Sequence, residues 1–342
     1  MLVYNNAARL RFFFFHTATR RTALKYIETI LETGSITKAA KKLFASQPSL
    51  SQYIRRVEED NDIELFDRTS QPWVLTEDGQ FYMETERKIE SIYRQREQFF
   101  SDKHMLTSGE VFIGSTQYRS NTVLSKVLPI YRKRYPDIKI HLLEGISSEL
   151  VDLAEKGLVD CTLALEATVT NNLVCEPLVT ERVLLCAPAN HKPVKTGPVP
   201  PGGRFPSVKF SEFADDDFIV LKAGQVFHKF FTTLCAKYRI EPNVILEAQS
   251  ITSIPALVEA GLGCALVPSP LADMTNHSVQ YYDLGRDHPT TKLTIAWSRS
   301  RYLSRPAAAF INVAKEVMAK EMHKKSVVKR DGSAKSHAKS DQ

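Results

Sequence analysis

The chain has 342 residues, 43% apolar and 25% charged, with a formal net charge of +6. That length holds two domains with separate cores, and those fractions exclude a wholly disordered or fibrous chain. No apolar run approaches the roughly 20 residues that cross a bilayer, so no membrane partner is expected.

Residues 1–21 carry four arginines, no acid and the run Phe12–Phe15. Acid-free, arginine-rich composition resembles a transit peptide. It also fits an upstream start codon or a disordered N-terminal extension, and a disordered extension is expected. Thr22–Glu32 is an amphipathic helix with Leu24, Ile27 and Leu31 on one face. Thr33-Gly34-Ser35 stops it and caps a second helix, whose stripe is Ile36, Ala39, Ala40 and Leu43. After the break Phe44-Ala45-Ser46, Ser46 caps a third helix with Pro48 in its first turn. Leu50, Ile54 and Val57 mark the buried side of that helix. Its other side presents Gln47, Ser49, Ser51, Gln52, Tyr53, Arg55 and Arg56, residue types that bond base edges and phosphates in a major groove. Between Thr37 and Arg56 there are five basic residues and no acidic one, a one-sided docking face for duplex DNA.

Leu65–Arg68 and Trp73-Val74-Leu75 alternate like short strands around a turn and predict a wing, with Trp73 in its core. Thr76–Gly79 caps a long polar helix over about 76–103. Its thin stripe of Tyr82, Ile89, Ile92, Tyr93, Phe99 and Phe100 predicts pairing with a copy of itself. From Gly109 strands and helices alternate, which predicts parallel sheet with covered faces. The predicted strands are 111–114, 138–143, 161–165, 182–186, 218–221, 243–246, 264–268 and 293–297. Between them fall helices over 124–135, 147–156, 227–238 and 254–260, and a last one over Pro306–Ala319. Residues 193–206, with five prolines and three glycines, predict a loop that adds nothing to the core. The lysine-rich tail 319–342 is expected to be disordered and to add non-specific attraction to phosphate.

The ordered set TGSITKAAKKLFASQPSLSQYIRRVEED, LFDRT and LTEDG is followed by GLVDCTLAL, ILEAQSITSIPALVEAGLGCALVPSPLA and RYLSRPAAAF. Over about Ala23 to Val317 it resembles the LysR-type transcriptional regulators. The resemblance implies an α/β chain with an N-terminal winged helix-turn-helix (22–80) and a long linker helix (76–104). A two-lobed Rossmann-like effector domain akin to periplasmic binding proteins would follow (109–318). Its first lobe would take about 109–180 and 291–318, its second about 181–290. The family forms dimers through the linker helix and often tetramers. Gln52 stands where the family often has Arg, which moves the expected base preference from guanine toward adenine.

In that frame Gln47, Pro48, Ser49, Ser51 and Gln52 meet DNA, while Thr37, Lys38, Arg55 and Arg56 suit phosphates. Arg68 in the wing reaches the backbone or minor groove, or else pairs with Asp67 or Glu64. The resemblance puts effector contacts at Ser115, Thr116, Ile146, Ser147, Leu165, Ser250 and Thr252, where hydroxyls at helix starts suit a small carboxylate; simple helix capping is the other reading. Arg119 is either a charge partner there or solvated.

The five cysteines (Cys161, Cys175, Cys186, Cys235, Cys264) are odd in number and lack paired metal or redox spacing. A reducing cytoplasm is expected, with no structural zinc, no cofactor and no peroxide-sensing pair. The nine histidines form no cluster in the sequence, and no catalytic signature occurs. The leading expectation is a ligand-responsive regulator on a pseudo-palindromic operator, with RNA polymerase a further partner. A solute-binding protein with a non-functional N-terminal domain, or an enzyme using the α/β cleft, are the alternatives.

Overall fold

Gly34 ends the first helix because the chain must turn through a positive φ of 65° there, which glycine adopts freely. The computed structural model describes residues 22–101, 109–192, 194–274, 278–285 and 289–337. The extension 1–21 lies outside them. Helix α1 (residues 22–33) is followed by α2 (Ile36–Lys42) and α3 (Gln47–Asn61). Ala39 and Ala40 are buried where α2 meets α3, since only small side chains let two helices approach closely. Ser46 caps α3 as predicted, its Oγ accepting from Ser49 N at 3.2 Å. Ser35 occupies the capping position of α2 but makes no side-chain cap; Thr33 instead donates to the Ser35 carbonyl at 3.1 Å. The antiparallel wing pairs β1 (Phe66–Asp67) with β2 (Val74–Leu75). Its Trp73 packs against the same core as Ile27, Ile30, Leu50, Ile54 and Phe66.

Helix α4 (Glu77–Ser101) starts on Thr76, whose Oγ1 accepts from Gly79 N at 2.9 Å. Met83, absent from the predicted stripe, is buried in the N-terminal core, and Tyr82 of that stripe packs partly buried against it. A Cβ at Gly79 would lie 2.1 Å from the Leu65 carbonyl oxygen, a backbone atom that cannot swing away. Gly79→Ala is therefore expected to destabilise the N-terminal unit by about 1–3 kcal/mol, read by denaturant unfolding. An unchanged midpoint would contradict that packing. The described chain divides into two compact units after Gln98.

The second unit opens with β3 (Gly109–Ser115), α5 (Gln117–Arg119), a π-helical turn (Ser120–Leu124) and α6 (Ser125–Arg134). Then come β4 (Ile138–Glu144), α7 (Ser147–Glu155) and β5 (Cys161–Leu165). Strand β6 (Leu173–Pro188) has 16 residues where the sequence suggested only 182–186. After it stand β7 (Asp217–Leu221), α8 (Val226–Tyr238), β8 (Asn243–Ala248), α9 (Ile254–Glu259) and β9 (Ala265–Pro268). Strands β10 (Val279–Asp283) and β11 (Thr290–Ser298) and helix α10 (Arg305–His337) complete the unit.

The sheet is mixed, not wholly parallel as predicted. Strands β4, β3 and β5 are parallel, whereas β11 runs antiparallel to both β5 and β6. Strand β6 joins two lobes. Its residues through Arg182 pair with β11, and from Val183 onward it pairs with β9 and β10. Strands β7 and β8 are parallel and reach β9 through the Phe218–Cys264 bridge. Strand β8 is not covered as predicted, since Val244, Ile245 and Leu246 are exposed.

Two further predictions are corrected. Loop 193–206 does contribute to the core, because Val194 and Phe205 pack against it and Phe205 stacks near Tyr281. Helix α10 does not end at Ala319 but continues through His337, so most of the tail expected to be disordered is helical. Its lysines, glutamate and methionine are strong helix formers, and no proline interrupts them. Among the described residues no helix is long and apolar enough to cross a membrane.

Candidate DNA-recognition face and effector site

The outward side of α3 is built by what the inward side buries. Leu50, Ile54 and Val57 face the core, which turns Gln47, Pro48, Gln52, Arg55 and Arg56 to the surface and leaves Ser51 half-buried. Ser49 is exposed but already engaged, its Oγ lying 2.7 Å from that of Ser46. Thr37 and Lys38 are exposed on α2. Lys38, Arg55 and Arg56 have no acidic partner among the described residues, so their charge faces outward. Arg68 is not paired with Asp67 or Glu64. It donates to Glu58 Oε2 at 2.5 Å and lies 5.7 Å from the Trp73 ring centroid. Asp67 is occupied by Thr69, whose hydroxyl and N–H hold its carboxyl below the usual range.

In the second unit the predicted contacts gather at the carboxyl ends of parallel strands, the edge at which open α/β sheets bind ligands. Ser115 ends β3 and is fully buried, its hydroxyl donating to the Thr116 carbonyl at 3.1 Å. Thr116 caps α5, accepting from Arg119 N at 3.3 Å. Ile146 and Ser147 follow β4, the neighbour of β3, and Gly145 N donates to Ser115 O at 3.4 Å. Ile146 is exposed and Leu165, ending β5, is buried. Ser250 and Thr252 lie beyond β8 in the second lobe, their hydroxyls 2.7 Å apart.

Three features there escaped the sequence. Arg119 is neither solvated nor free; it makes a two-pronged pair with Glu181 at 2.6 and 2.8 Å, with side chains 6% and 3% exposed. Burial pulls its guanidinium down, and the Glu181 carboxylate more than reverses that, so its proton is held more tightly than usual. Next along β6, Arg182 donates to the buried Asp283 at 2.9 Å and to Pro201 O at 2.6 Å. Two consecutive charged pairs thus sit where β6 passes between lobes. The signal was available: Glu181-Arg182 interrupts an apolar strand, and a buried charge needs a partner. Tyr118 and Ser120 gave no such signal. Their hydroxyl oxygens are buried with no hydrogen-bond partner among the described residues. Burial, then the Glu181 charge, pushes the Tyr118 phenol up, so it stays a donor.

Cys161, Cys186, Cys235 and Cys264 are buried. Burial pushes Cys186 and Cys264 up to about 12 and Cys235 to about 11, and it raises Cys161 well above its ordinary value. At pH 8 a thiol with a pKa near 12 is roughly one part in ten thousand thiolate, and thiolate is the reactive form. Alkylation of the native protein at pH 8, followed by mass spectrometry, should therefore label Cys175 first. Rapid labelling of Cys186 or Cys264 would contradict their burial.

A winged helix-turn-helix with an exposed basic recognition helix, joined to a two-lobed α/β binding fold, defines a DNA-binding protein that carries a ligand-binding domain. The comparisons agree. Residues 22–80 match the bacterial regulatory helix-turn-helix protein, lysR family, and residues 105–319 match the LysR substrate binding domain. The HTH-type transcriptional regulator YcgK of Bacillus subtilis strain 168 is 28% identical over 309 residues, 86% of this chain and 93% of its own. The hydrogen peroxide-inducible genes activator of Haemophilus influenzae is 22% identical over 86% of this chain and 97% of its own. CbnR, a LysR family transcriptional regulator solved alone and with its target DNA, superposes with TM-scores of 0.65 and 0.64 at 17% identity. Each CbnR comparison covers 86% of this chain and 98% of the other. The chain belongs to the LysR family. It is a transcriptional regulator with a helix-turn-helix and an effector-binding domain, not an enzyme.

Proposed function

We propose that α3 enters the major groove with Gln47, Ser51 and Gln52 at base edges and Pro48 and Ser49 against the groove wall. Thr37, Lys38, Arg55 and Arg56 then hold phosphates, and Arg68 reaches the backbone after releasing Glu58. The observation that carries this reading is the basic face of α3, whose cations have no acidic partner among the described residues. Two chains pair through α4, whose Phe81, Ile92, Phe99 and Phe100 are exposed in the single chain, and two such pairs form a tetramer. The paired recognition helices read two half-sites of a pseudo-palindrome about one helical turn apart. The protein works in the cytoplasm.

The effector is a small polar molecule of the carboxylate class. It is held by Thr116, Ser147, Ser250 and Thr252, with Ser115, Ile146 and Leu165 shaping the site. The unpartnered hydroxyls of Tyr118 and Ser120 support a polar ligand, because a buried hydroxyl without a partner costs about 1–3 kcal/mol. Lobe closure about β6 changes the spacing of the DNA-binding pairs, and so the bend of the promoter and its contact with RNA polymerase. The burial of four thiols argues against peroxide as the signal, although the Haemophilus relative is a hydrogen peroxide-inducible genes activator.

Thermal-shift titration of the full-length protein with a panel of small carboxylates tests the effector site. At least one compound should raise the melting temperature, and Tyr118→Phe should weaken it about tenfold. A panel that leaves the wild type unmoved, or a ligand indifferent to Tyr118→Phe, would contradict the assignment.

A further inference from the structure

The fold brings together three residues that lie far apart in the sequence and that the regulator's work does not use. His191 follows the end of β6, Asp216 precedes β7 and Cys264 precedes β9. These are the strand ends opposite to the one followed by Ser250, so the cluster stands apart from the proposed effector residues. One imidazole nitrogen, one carboxylate oxygen and the Cys264 sulfur all lie within 4.8 Å of one another. From this geometry we propose that His191, Asp216 and Cys264 form a binding site for a zinc-class divalent cation in the second lobe.

Each ligand is held before any cation arrives. The His191 ring stacks on buried Phe213 at 5.0 Å between centroids, and its Nδ1 donates to the Lys192 carbonyl at 2.8 Å. That bond fixes the ring with Nε2 toward Asp216 Oδ2, 3.0 Å away, as outer partners fix metal-bound histidines. Lys192 Nζ sits 3.0 Å from the other carboxylate oxygen and leaves Oδ2 for the site. Cys264 is tied on both sides to β7, its N–H donating to Asp217 O at 2.8 Å and its carbonyl accepting from Ile219 N at 2.9 Å.

The hydrogen bonding identifies what a cation would replace. Both imidazole nitrogens lie against acceptors, the Lys192 carbonyl and the Asp216 carboxylate. Cys264 is a thiol. A divalent cation displaces the thiol proton to solvent, so that Cys264 binds as thiolate and His191 as neutral imidazole through Nε2. Zinc–ligand bonds of about 2.0–2.3 Å put tetrahedral ligand atoms about 3.3–3.8 Å apart, so the sulfur closes by up to about 1 Å while Nε2 and Oδ2, now 3.0 Å apart, separate by a few tenths of an ångström. One nitrogen, one oxygen and one sulfur select a borderline cation over calcium or magnesium, and three protein ligands leave a fourth position open. Bound there, the cation ties the start of β7 and the start of β9 to the end of β6.

The test uses the full-length, reduced protein after chelator treatment, titrated with Co²⁺ and then Zn²⁺. One equivalent of Co²⁺ should produce a thiolate-to-cobalt charge-transfer band in the near ultraviolet, and Zn²⁺ should abolish it. Cys264→Ser should lose the band, while Cys175→Ser, which alters a thiol outside the cluster, should keep it. Asp216→Asn should weaken Zn²⁺ at least tenfold in competition with a chromophoric chelator, and it reports independently if Cys264→Ser does not fold. No band in the wild type, a band that survives Cys264→Ser, or unchanged Zn²⁺ affinity in Asp216→Asn would each overturn the proposal.

Discussion

Glu181→Ala is expected to destabilise the second unit by about 3–5 kcal/mol, the cost of leaving a buried guanidinium without its partner. Arg119 and Glu181 are both almost fully buried and bonded through two contacts, so water cannot take over from the lost carboxylate. For a domain of this size the melting temperature should fall by roughly 6–20 °C. The double variant Arg119→Met, Glu181→Leu should recover much of the loss, because removing both charges removes the desolvation cost as well. A Glu181→Ala protein as stable as the wild type would show that Arg119 finds another partner and that the pair does not hold α5 to the crossing strand.

Gln47→Ala with Ser51→Ala is the second large effect, and it falls on DNA. Each base-edge contact contributes about 1–3 kcal/mol of discrimination. The double variant should therefore lose specific affinity by about two orders of magnitude while its non-specific binding and salt dependence stay put. Arg55→Ala or Arg56→Ala should do the reverse. Each weakens all sequences alike and lowers the slope of log affinity against log salt by about one. Ligand binding to the second unit should survive in all three variants. Equal specific binding by wild type and the Gln47, Ser51 variant in a gel-shift assay would remove α3 as the reading element.

The N-terminal unit was legible because its signals are local. Gly34 and the cap at Ser46 mark helix ends, and the stripes Ala39-Ala40 and Leu50-Ile54-Val57 give the buried faces. The wing and its Trp73 followed from alternation. What escaped depends on residues distant in the chain. Strand β6 reads only as 182–186 because Glu176, Thr180 and Glu181 break the apolar pattern upstream, yet Glu181 is buried against Arg119 and Arg182 pairs with the buried Asp283. The mixed sheet escaped because alternating strands and helices do not reveal that β11 returns antiparallel. The loop 193–206 looked inert from its prolines, but Val194 and Phe205 reach the core. For the candidate sites, the DNA face could be read from one helix, whereas the partnerless hydroxyls of Tyr118 and Ser120 emerge only once the fold encloses them.

The central claim is that α3 and its copy read DNA under the control of a ligand in the second unit. The most direct measurement is a footprint of the purified protein on the DNA beside its own gene, at moderate salt, with and without the small carboxylates. Protection of two or more helically phased sites that shortens or shifts with one compound is the predicted result. No protection under conditions where a control regulator binds would contradict the account.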